Sequence, residues 1–245
     1  RGFDTFYGYM RHGDGHEHYP HEGFHRGPKE VYEDNVAITS GLDKSYTGDL
    51  WTAKAKQYIM DHENGGDKDN PFFMYLSFDT PHAIMQLPTQ AYPQGYGLNG
   101  GMQWLGEDGK MINTASGEPD TWMDPLYANA TYDHDNNPNT AEVEWPNIYK
   151  RYATIIKRID HQVNDVIQLL KDLEIDENTL VVFSSDNGPS NESYISGHPN
   201  RPNFFESFGD FDGIKRDVLE GGLRAPAIAY WPGTISPGTK VKNPS

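Results

Sequence analysis

Short apolar runs that follow helical segments and lead straight into polar side chains constrain this fold more than any other feature of the chain. One run covers residues 71–78 (PFFMYLSF), and His82 follows it closely. A second covers residues 180–185 (LVVFSS), directly before Asp186 and Asn187, and a third strand candidate is APAIAYW at 225–231. Their length, their β-branched or aromatic content and their flanks favour strands.

Helical spacing of apolar residues precedes the first two runs. One helix is predicted to begin at Thr47, as a possible cap, and to continue towards residue 64; the clearer one covers about 147–174. Apolar strands that follow helices are typical of a sheet covered on both faces, so we predict an α/β fold with a mostly parallel or mixed central sheet flanked by helices. Ligands of such sheets bind beyond the carboxyl ends of the strands, where His82 and Asp186-Asn187 would lie.

Charge and cysteine content exclude several classes of function. The 245 residues carry a formal net charge of −16 and no cysteine. An acidic chain disfavours general nucleic-acid binding and an anionic membrane surface. Without cysteine there is no disulfide, no thiolate zinc site and no cysteine nucleophile in this sequence. It also has no apolar run long enough for a membrane helix.

Three segments have no clear period. Residues 86–146 show neither helical nor strand periodicity. A structureless stretch of that length inside a domain is usually a functional insertion, so we predict a loop-rich insertion there. The histidine-rich loop, residues 12–25, matches no fixed zinc-ligand spacing and is predicted to be an exposed polar loop that lines a subsite. Residues 133–144 have acidic offsets of an EF-hand loop, but Pro138 stands where its glycine belongs.

Four side chains are candidates for chemistry, each with an ordinary structural alternative. Asp186 and Asn187 offer oxygen ligands, which suit Ca²⁺ or Mg²⁺ better than zinc, although Asp-Asn-Gly is also common turn chemistry. His82 is a candidate general acid, or a hydrogen-bonded loop histidine. Lys215 is a candidate for binding an oxyanion, or a surface lysine.

Together these stretches resemble the formylglycine-dependent sulfatases of the alkaline phosphatase superfamily. The matching pieces are GFDTFYGY, PFFMYLSFDTPHA, the helix and strand that end in VVFSSDNGP, and GIKRDVLEGGLRAPAIAYWPG. The resemblance implies that Asp186 and Asn187 are ligands of a cation, usually calcium, with Mg²⁺ possible. It also implies that His82 hydrogen-bonds the sulfate ester and protonates the leaving alcohol, and that Lys215 contacts the sulfate.

The sequence also departs from the family pattern. The family's two early aspartates, its Lys-and-His pair and its Cys/Ser-x-Pro-x-Arg segment, whose first residue becomes formylglycine, are absent from residues 1–245. We therefore interpret the chain as the central part of a sulfatase catalytic domain, without the nucleophile region and the C-terminal subdomain, and expect it to be inactive alone. The formylglycine is expected in the missing N-terminal part.

Substrate and location follow from the resemblance alone. Similar family members are mostly bacterial enzymes acting on sulfated sugars, which implies a sulfated saccharide substrate and a periplasmic or secreted protein. His198, Asn200 and Arg201 are candidates for contacting the sugar, and Trp104 and Tyr132 are among the insertion's candidate aromatic walls. A phosphoesterase of the same superfamily and a non-catalytic glycan-binding or scaffold protein are the alternatives.

Overall fold

The structure, a computed structural model, describes residues 2–20, 29–42, 44–82, 84–192 and 199–241. Its strands are β1 Tyr7–Tyr9, β2 Val31–Glu33, β3 Val36–Ala37, β4 Trp104–Glu107, β5 Lys110–Ile112, β6 Thr131–Tyr132, β7 Val143–Glu144, β8 Val181–Ser184 and β9 Ala227–Tyr230. Its α-helices are α1 Thr47–Asn64, α2 Pro125–Ala128, α3 Asn147–Asp172 and α4 Glu220–Leu223. Short 3₁₀ turns lie at His12–His16, Thr39–Gly41, Gly97–Asn99, Asp176–Asn178 and Pro202–Phe204.

The two long predicted helices and two of the three predicted strands are confirmed, and the mixed order of elements is α/β as expected. The pairing differs from the prediction. Within the described ranges β1, β2 and β3 form one antiparallel sheet, and β4–β5, β6–β7 and β8–β9 are antiparallel pairs. In the β8–β9 pair, Val181 lies opposite Tyr230 and Ser184 opposite Ala227. The expected parallel neighbour is therefore not seen among the described strands.

The predicted buried strand at 71–78 is wrong in two respects. No strand forms there, because no neighbouring strand among the described residues supplies the ladder of hydrogen bonds that defines one. Alternate side chains face opposite ways: Phe72, Met74, Leu76 and Phe78 pack against the core, whereas Phe73 is 74% and Tyr75 76% exposed. The segment keeps the two-residue side-chain period of a strand without a partner.

Helices α1 and α3 form the centre of the described structure. Ile59 of α1 packs with Leu169 and Leu170 of α3 in one buried cluster. The other face of α1 contributes Leu50 and Trp51 to a second cluster, with Met102 and Ile112 from the 86–146 segment among its other members. The apolar stripe that predicted α3 thus packs against α1 in the first of these clusters, whereas the second is formed by α1 with other segments.

Buried carboxylates of α1 and α3 anchor the 86–146 segment. Asp165 of α3 accepts hydrogen bonds from Lys56 Nζ (2.8 Å), Tyr92 Oη (2.5 Å) and the main-chain N–H groups of Gly97 (2.7 Å) and Met102 (2.6 Å). Gly101 has a φ of +66°, and a Cβ there would collide with the Asp165 carboxylate, so the close approach requires glycine. The predicted insertion contains short strands and one α-helical turn, and this carboxylate holds its part from Tyr92 to Met102.

A second buried pair connects α1 to α3 directly. Arg158 donates from Nε and Nη2 to the two carboxylate oxygens of Asp49, at 2.8 and 2.6 Å. Gln162 and Thr114 donate to the same carboxylate. Both charged side chains are fully enclosed, and the two parallel bonds fix the rotation of one helix against the other.

Candidate functional site

His82 lies in a tight turn that follows the extended 71–78 segment. Its main-chain N–H donates to the carbonyl oxygen of Asp79 at 3.1 Å. Its imidazole meets the His16 ring edge to face, with the ring centroids 4.9 Å apart. Its carbonyl oxygen is 3.1 Å from Nε2 of His18. The candidate general acid is therefore surrounded by the start of the histidine-rich loop.

Asp79, three residues before His82, is the buried charge on which this turn rests. Its carboxylate accepts from Lys29 Nζ at 2.9 Å and from the Thr47 hydroxyl at 2.8 and 3.0 Å. Thr47 is the first residue of α1, so the hydroxyl that was predicted to cap the helix instead binds this carboxylate. Burial by itself would raise the pKa of Asp79, but the Lys29 ammonium and the nearby His18 outweigh it and hold the pKa well below its usual value.

Because the pKa of Asp79 is lowered in the folded state, the free energy of unfolding should decrease as the pH falls. An aspartate whose pKa is lower in the folded than in the unfolded state contributes stability above the unfolded pKa of about 3.9, and the contribution disappears as the pH falls towards the folded pKa. We expect the free energy of unfolding, measured by urea denaturation, to fall more steeply in the wild type than in Asp79→Asn between about pH 5 and about pH 3, roughly one unit either side of the unfolded pKa. Equal slopes for the two proteins would contradict the assignment.

The described part of the histidine-rich loop is exposed at His12 but mostly buried from Asp14 onward, so the prediction of an exposed loop is wrong. Asp14, His16, Glu17, His18 and Tyr19 are all buried. The reason is long-range packing: Tyr19 donates to the carbonyl of Leu87 at 2.7 Å, and Thr47 N–H donates to the carbonyl of His18 at 2.8 Å. His21 and His25 lie outside the described residues.

Asp186 and Asn187 follow β8 after one intervening residue, Ser185, at the end of the predicted strand. The chain behind them is held against α4, because the Gly188 N–H donates to the carbonyl of Gly222 at 2.9 Å. A Cβ on Gly188 would collide with the carbonyl of Gly221, so this approach requires glycine. The Asp186 side chain is exposed and that of Asn187 half-buried.

Lys215 lies beside the same loop. Its main-chain N–H donates to the carbonyl of Pro189 at 2.9 Å, two residues beyond Asn187. The structure therefore brings the Lys215 segment and the Asp186-Asn187 loop together, from positions about thirty residues apart in the chain. His82 belongs to the histidine cluster described above, and its convergence with Lys215 on one group stays a prediction.

A hydrophobic cluster links the segment after the His82 turn to the segment after Arg201. Met85, three residues after His82, packs in the same cluster as Phe204, three residues after Arg201. Phe204 stacks on Tyr149 of α3 with ring centroids 3.8 Å apart. Helix α3 thereby holds both the turn after His82 and the segment after the proposed sugar-contacting residues.

The oxygen donors of Asp186 and Asn187 fit part of a cation site. A carboxylate and an amide oxygen on adjacent residues suit a hard cation, which takes about six to eight oxygen ligands when it is Ca²⁺. Among the described residues no group of three or more histidine, aspartate or glutamate side chains has the arrangement of a metal site. That holds equally for the described part of the histidine-rich loop and for residues 133–144.

The residues predicted to contact the sugar differ in their burial and in whether the structure describes them. His198 lies outside the described residues. Asn200 is buried, and its main chain exchanges hydrogen bonds with Glu192 at 2.9 and 3.3 Å, whereas Arg201 is exposed. Of the predicted aromatic walls, Trp104 is half-buried against the core cluster with the Lys54 ammonium over its ring.

Sequence reasoning missed Lys29, Asp79 and His18, which support the His82 turn. Asp79 was visible only as the polar end of an apolar run, and Lys29 only as one lysine in an irregular segment. Their burial depends on partners up to 68 residues away, such as the Gln86 side chain that accepts from the His18 N–H at 2.6 Å. A carboxylate placed directly before a candidate catalytic turn was the available signal.

Comparisons with known proteins agree on one family. A family model described as Sulfatase matches residues 1–245. An N-acetylgalactosamine-6-sulfatase of Canis lupus familiaris is 46% identical over 88 residues, 36% of this chain and 16% of the relative. An N-acetylgalactosamine-6-O-sulfatase of Bacteroides thetaiotaomicron is 24% identical over 190 residues, 77% of this chain and 26% of the relative.

A solved structure has a similar fold. The chain titled Ps i-CgsB, in complex with k-i-k-neocarrahexaose, matches with a TM-score of 0.58 and 21% identity over 95% of this chain and 40% of the other. The protein described here thus spans less than half of that structure and about a sixth of the canine relative's length. In the described ranges no helix combines the length and apolar character needed to cross a bilayer.

Proposed function

Because the chain belongs to the sulfatase family, we propose that the protein hydrolyses sulfate esters and that its substrates are sulfated carbohydrates. The observation that carries the proposal is the family match over residues 1–245, which includes every candidate site residue. The carbohydrate class is supported by relatives named for N-acetylgalactosamine 6-sulfate, one mammalian and one bacterial. A periplasmic or secreted location is part of the same proposal, since it suits an enzyme of sulfated glycans.

In this proposal His82 is the proton donor to the departing alcohol. Breaking the S–O bond leaves an alkoxide, which is a poor leaving group until a positioned acid protonates it. Imidazole titrates near neutral pH and can both donate and recover that proton. Lys215 places an ammonium against the sulfate oxygens, whose negative charge is redistributed as the bond breaks.

Asp186 and Asn187 would hold the cation, calcium by preference and magnesium as the alternative. When bound, such an ion supplies positive charge that stabilises the sulfuryl oxygens. The Gly188 contact with α4 and the Lys215 contact with Pro189 keep this loop in place. The formylglycine nucleophile remains an expectation from the family resemblance. We propose that His198, Asn200 and Arg201 form the sugar-contacting group. Asn200 contributes by pairing its main chain with that of Glu192, which holds this segment in place.

The test is release of sulfate by the product of the complete gene. We expect ion chromatography to detect sulfate from N-acetylgalactosamine 6-sulfate, with phosphate release from the matching 6-phosphate at least about a hundredfold slower. Asp186→Ala should abolish both turnover and calcium binding measured by calorimetry. Residues 1–245 alone should release no sulfate.

Three results would contradict the proposal. Faster hydrolysis of the phosphate ester, with two bound zinc ions, would indicate a phosphoesterase. Binding of the sulfated sugar without turnover, in a protein whose gene encodes no Cys/Ser-x-Pro-x-Arg segment, would indicate a glycan-binding protein. Sulfate release by residues 1–245 would show that the reaction does not need a formylglycine from elsewhere.

A further inference from the structure

We propose that the buried part of the histidine-rich loop is a positioning device for His82, with His18 fixing the main chain of its turn and His16 fixing its ring. The inference rests on the proposed function, because it assigns a role around the proposed proton donor. It assigns a role to the histidine-rich loop that neither the spacing of its histidines nor its composition indicated. His16 and His18 act through His82 and are positioning residues.

The first step concerns the hydrogen on His18. Its Nε2 lies 3.1 Å from the carbonyl oxygen of His82, and a carbonyl can only accept, so Nε2 must carry the hydrogen and donate it. The other ring nitrogen, Nδ1, faces Asp79 Oδ2 at 3.7 Å, which is longer than a hydrogen bond. The imidazole is completely buried and packs edge-on against Tyr46, so it has one orientation in which to make this bond.

The main chain of His18 makes two further hydrogen bonds, one to the segment after the turn and one to α1. Its N–H donates to the side-chain oxygen of Gln86 at 2.6 Å, four residues beyond His82. Its carbonyl accepts from the N–H of Thr47, the first residue of α1, at 2.8 Å. His18 thus connects the beginning of α1 to His82 and to the segment after it, while the Lys29–Asp79 pair holds the residues before His82.

His16 acts on the ring. Its imidazole is buried and meets the His82 imidazole perpendicularly, with centroids 4.9 Å apart, and its Nδ1 lies 3.3 Å from the carbonyl of Gly13. Edge-to-face packing of this kind restricts rotation of the contacted ring. A proton donor must lie within hydrogen-bond reach of the departing oxygen, and a misplacement of about 1 Å costs on the order of a hundredfold in rate.

The experiment compares His18→Phe with His18→Gln in the product of the complete gene. Phenylalanine keeps the ring against Tyr46 but has no hydrogen to donate, whereas the glutamine amide can still donate to the His82 carbonyl. We expect His18→Phe to lower kcat about 10–100-fold with KM changed less than about threefold, and His18→Gln to recover most of the loss. The loss should shrink for an aryl sulfate, whose phenol leaves without a proton.

A readout independent of turnover accompanies the kinetics. Hydrogen–deuterium exchange of the peptide covering 79–87 should be faster in His18→Phe than in the wild type, and Gln86→Leu should accelerate it too by releasing the same turn from the other side. Ile59→Val, in the α1–α3 cluster, serves as the control: it lowers the melting temperature but leaves exchange at 79–87 and kcat unchanged.

The outcomes separate the inference from the function on which it rests. Unchanged exchange at 79–87 in both His18→Phe and Gln86→Leu would overturn the positioning role, whatever the activity. A kcat loss equal for alkyl and aryl sulfates would overturn it as well, because a general loss of folded enzyme produces that pattern. Absence of turnover in the wild type would overturn the proposed function and, with it, the catalytic part of the inference.

Discussion

Replacing Asp165 by asparagine is expected to lower the free energy of unfolding by about 3–5 kcal/mol, the usual cost of removing one partner from a buried ion pair. The carboxylate accepts four hydrogen bonds, including that of the enclosed Lys56 ammonium. Asparagine retains one acceptor oxygen but leaves the lysine charge without compensation, and its amide hydrogens point at groups that also donate. Urea denaturation at pH 7 measures the change.

Asp160→Asn is the matched control for this prediction. The residue lies on the same helix, α3, but is exposed, so the same chemical change should alter the free energy of unfolding by less than about 0.5 kcal/mol. Adding Lys56→Met to Asp165→Asn should restore part of the loss, because no buried charge is then left unpaired. A loss below about 1 kcal/mol in Asp165→Asn would show that the 86–146 segment is not held by this carboxylate.

His82→Asn is expected to lower kcat for an alkyl sulfate by about a hundred- to ten-thousandfold, the range that general acid catalysis contributes. Asparagine keeps a hydrogen-bond donor of similar reach but cannot transfer a proton at neutral pH. The loss should be much smaller for an aryl sulfate with an acidic phenol, and the acidic limb of the pH–rate profile should change in shape. Steady-state sulfate release on the two substrate types measures both effects.

His134→Asn provides the comparison for His82→Asn. His134 is exposed in the loop after β6, so its replacement should leave both rates within about twofold of the wild type. If His82→Asn slows alkyl and aryl sulfates equally, His82 binds the sulfate rather than protonating the alcohol. If it slows neither, the assignment of His82 is wrong.

The helices were predictable because their signal is local and repeated. The stripe from Tyr152 to Leu170 recurs over about five turns, and the structure places it on the core as α3. The strand at 71–78 failed because a strand is defined by its neighbour, and no sequence pattern within eight residues reports whether one is present. Phe73 and Tyr75 have the composition of buried residues and are exposed on the unpaired face.

The site residues were predictable where they form contiguous motifs, and not where they are brought together from distant positions in the sequence. Asp186, Asn187 and Lys215 were identified from contiguous motifs, and the structure brings the Lys215 segment to the Asp186 loop. The burial of His18 depends on Gln86, 68 residues away, and glycine, proline and histidine nearby give every local sign of an exposed loop. Long-range hydrogen bonding determined that outcome, and it leaves no periodicity in the sequence.

Three lysine– or arginine–aspartate pairs of the described residues have both side chains enclosed: Lys29–Asp79, Lys56–Asp165 and Arg158–Asp49. Water solvates charged groups less favourably as it is warmed, so the penalty for enclosing them decreases on heating. Contacts between α1, α3 and the His82 turn should therefore weaken less with temperature than those of a purely apolar interior. A thermal transition in this protein should begin at its margins and reach this charged centre last.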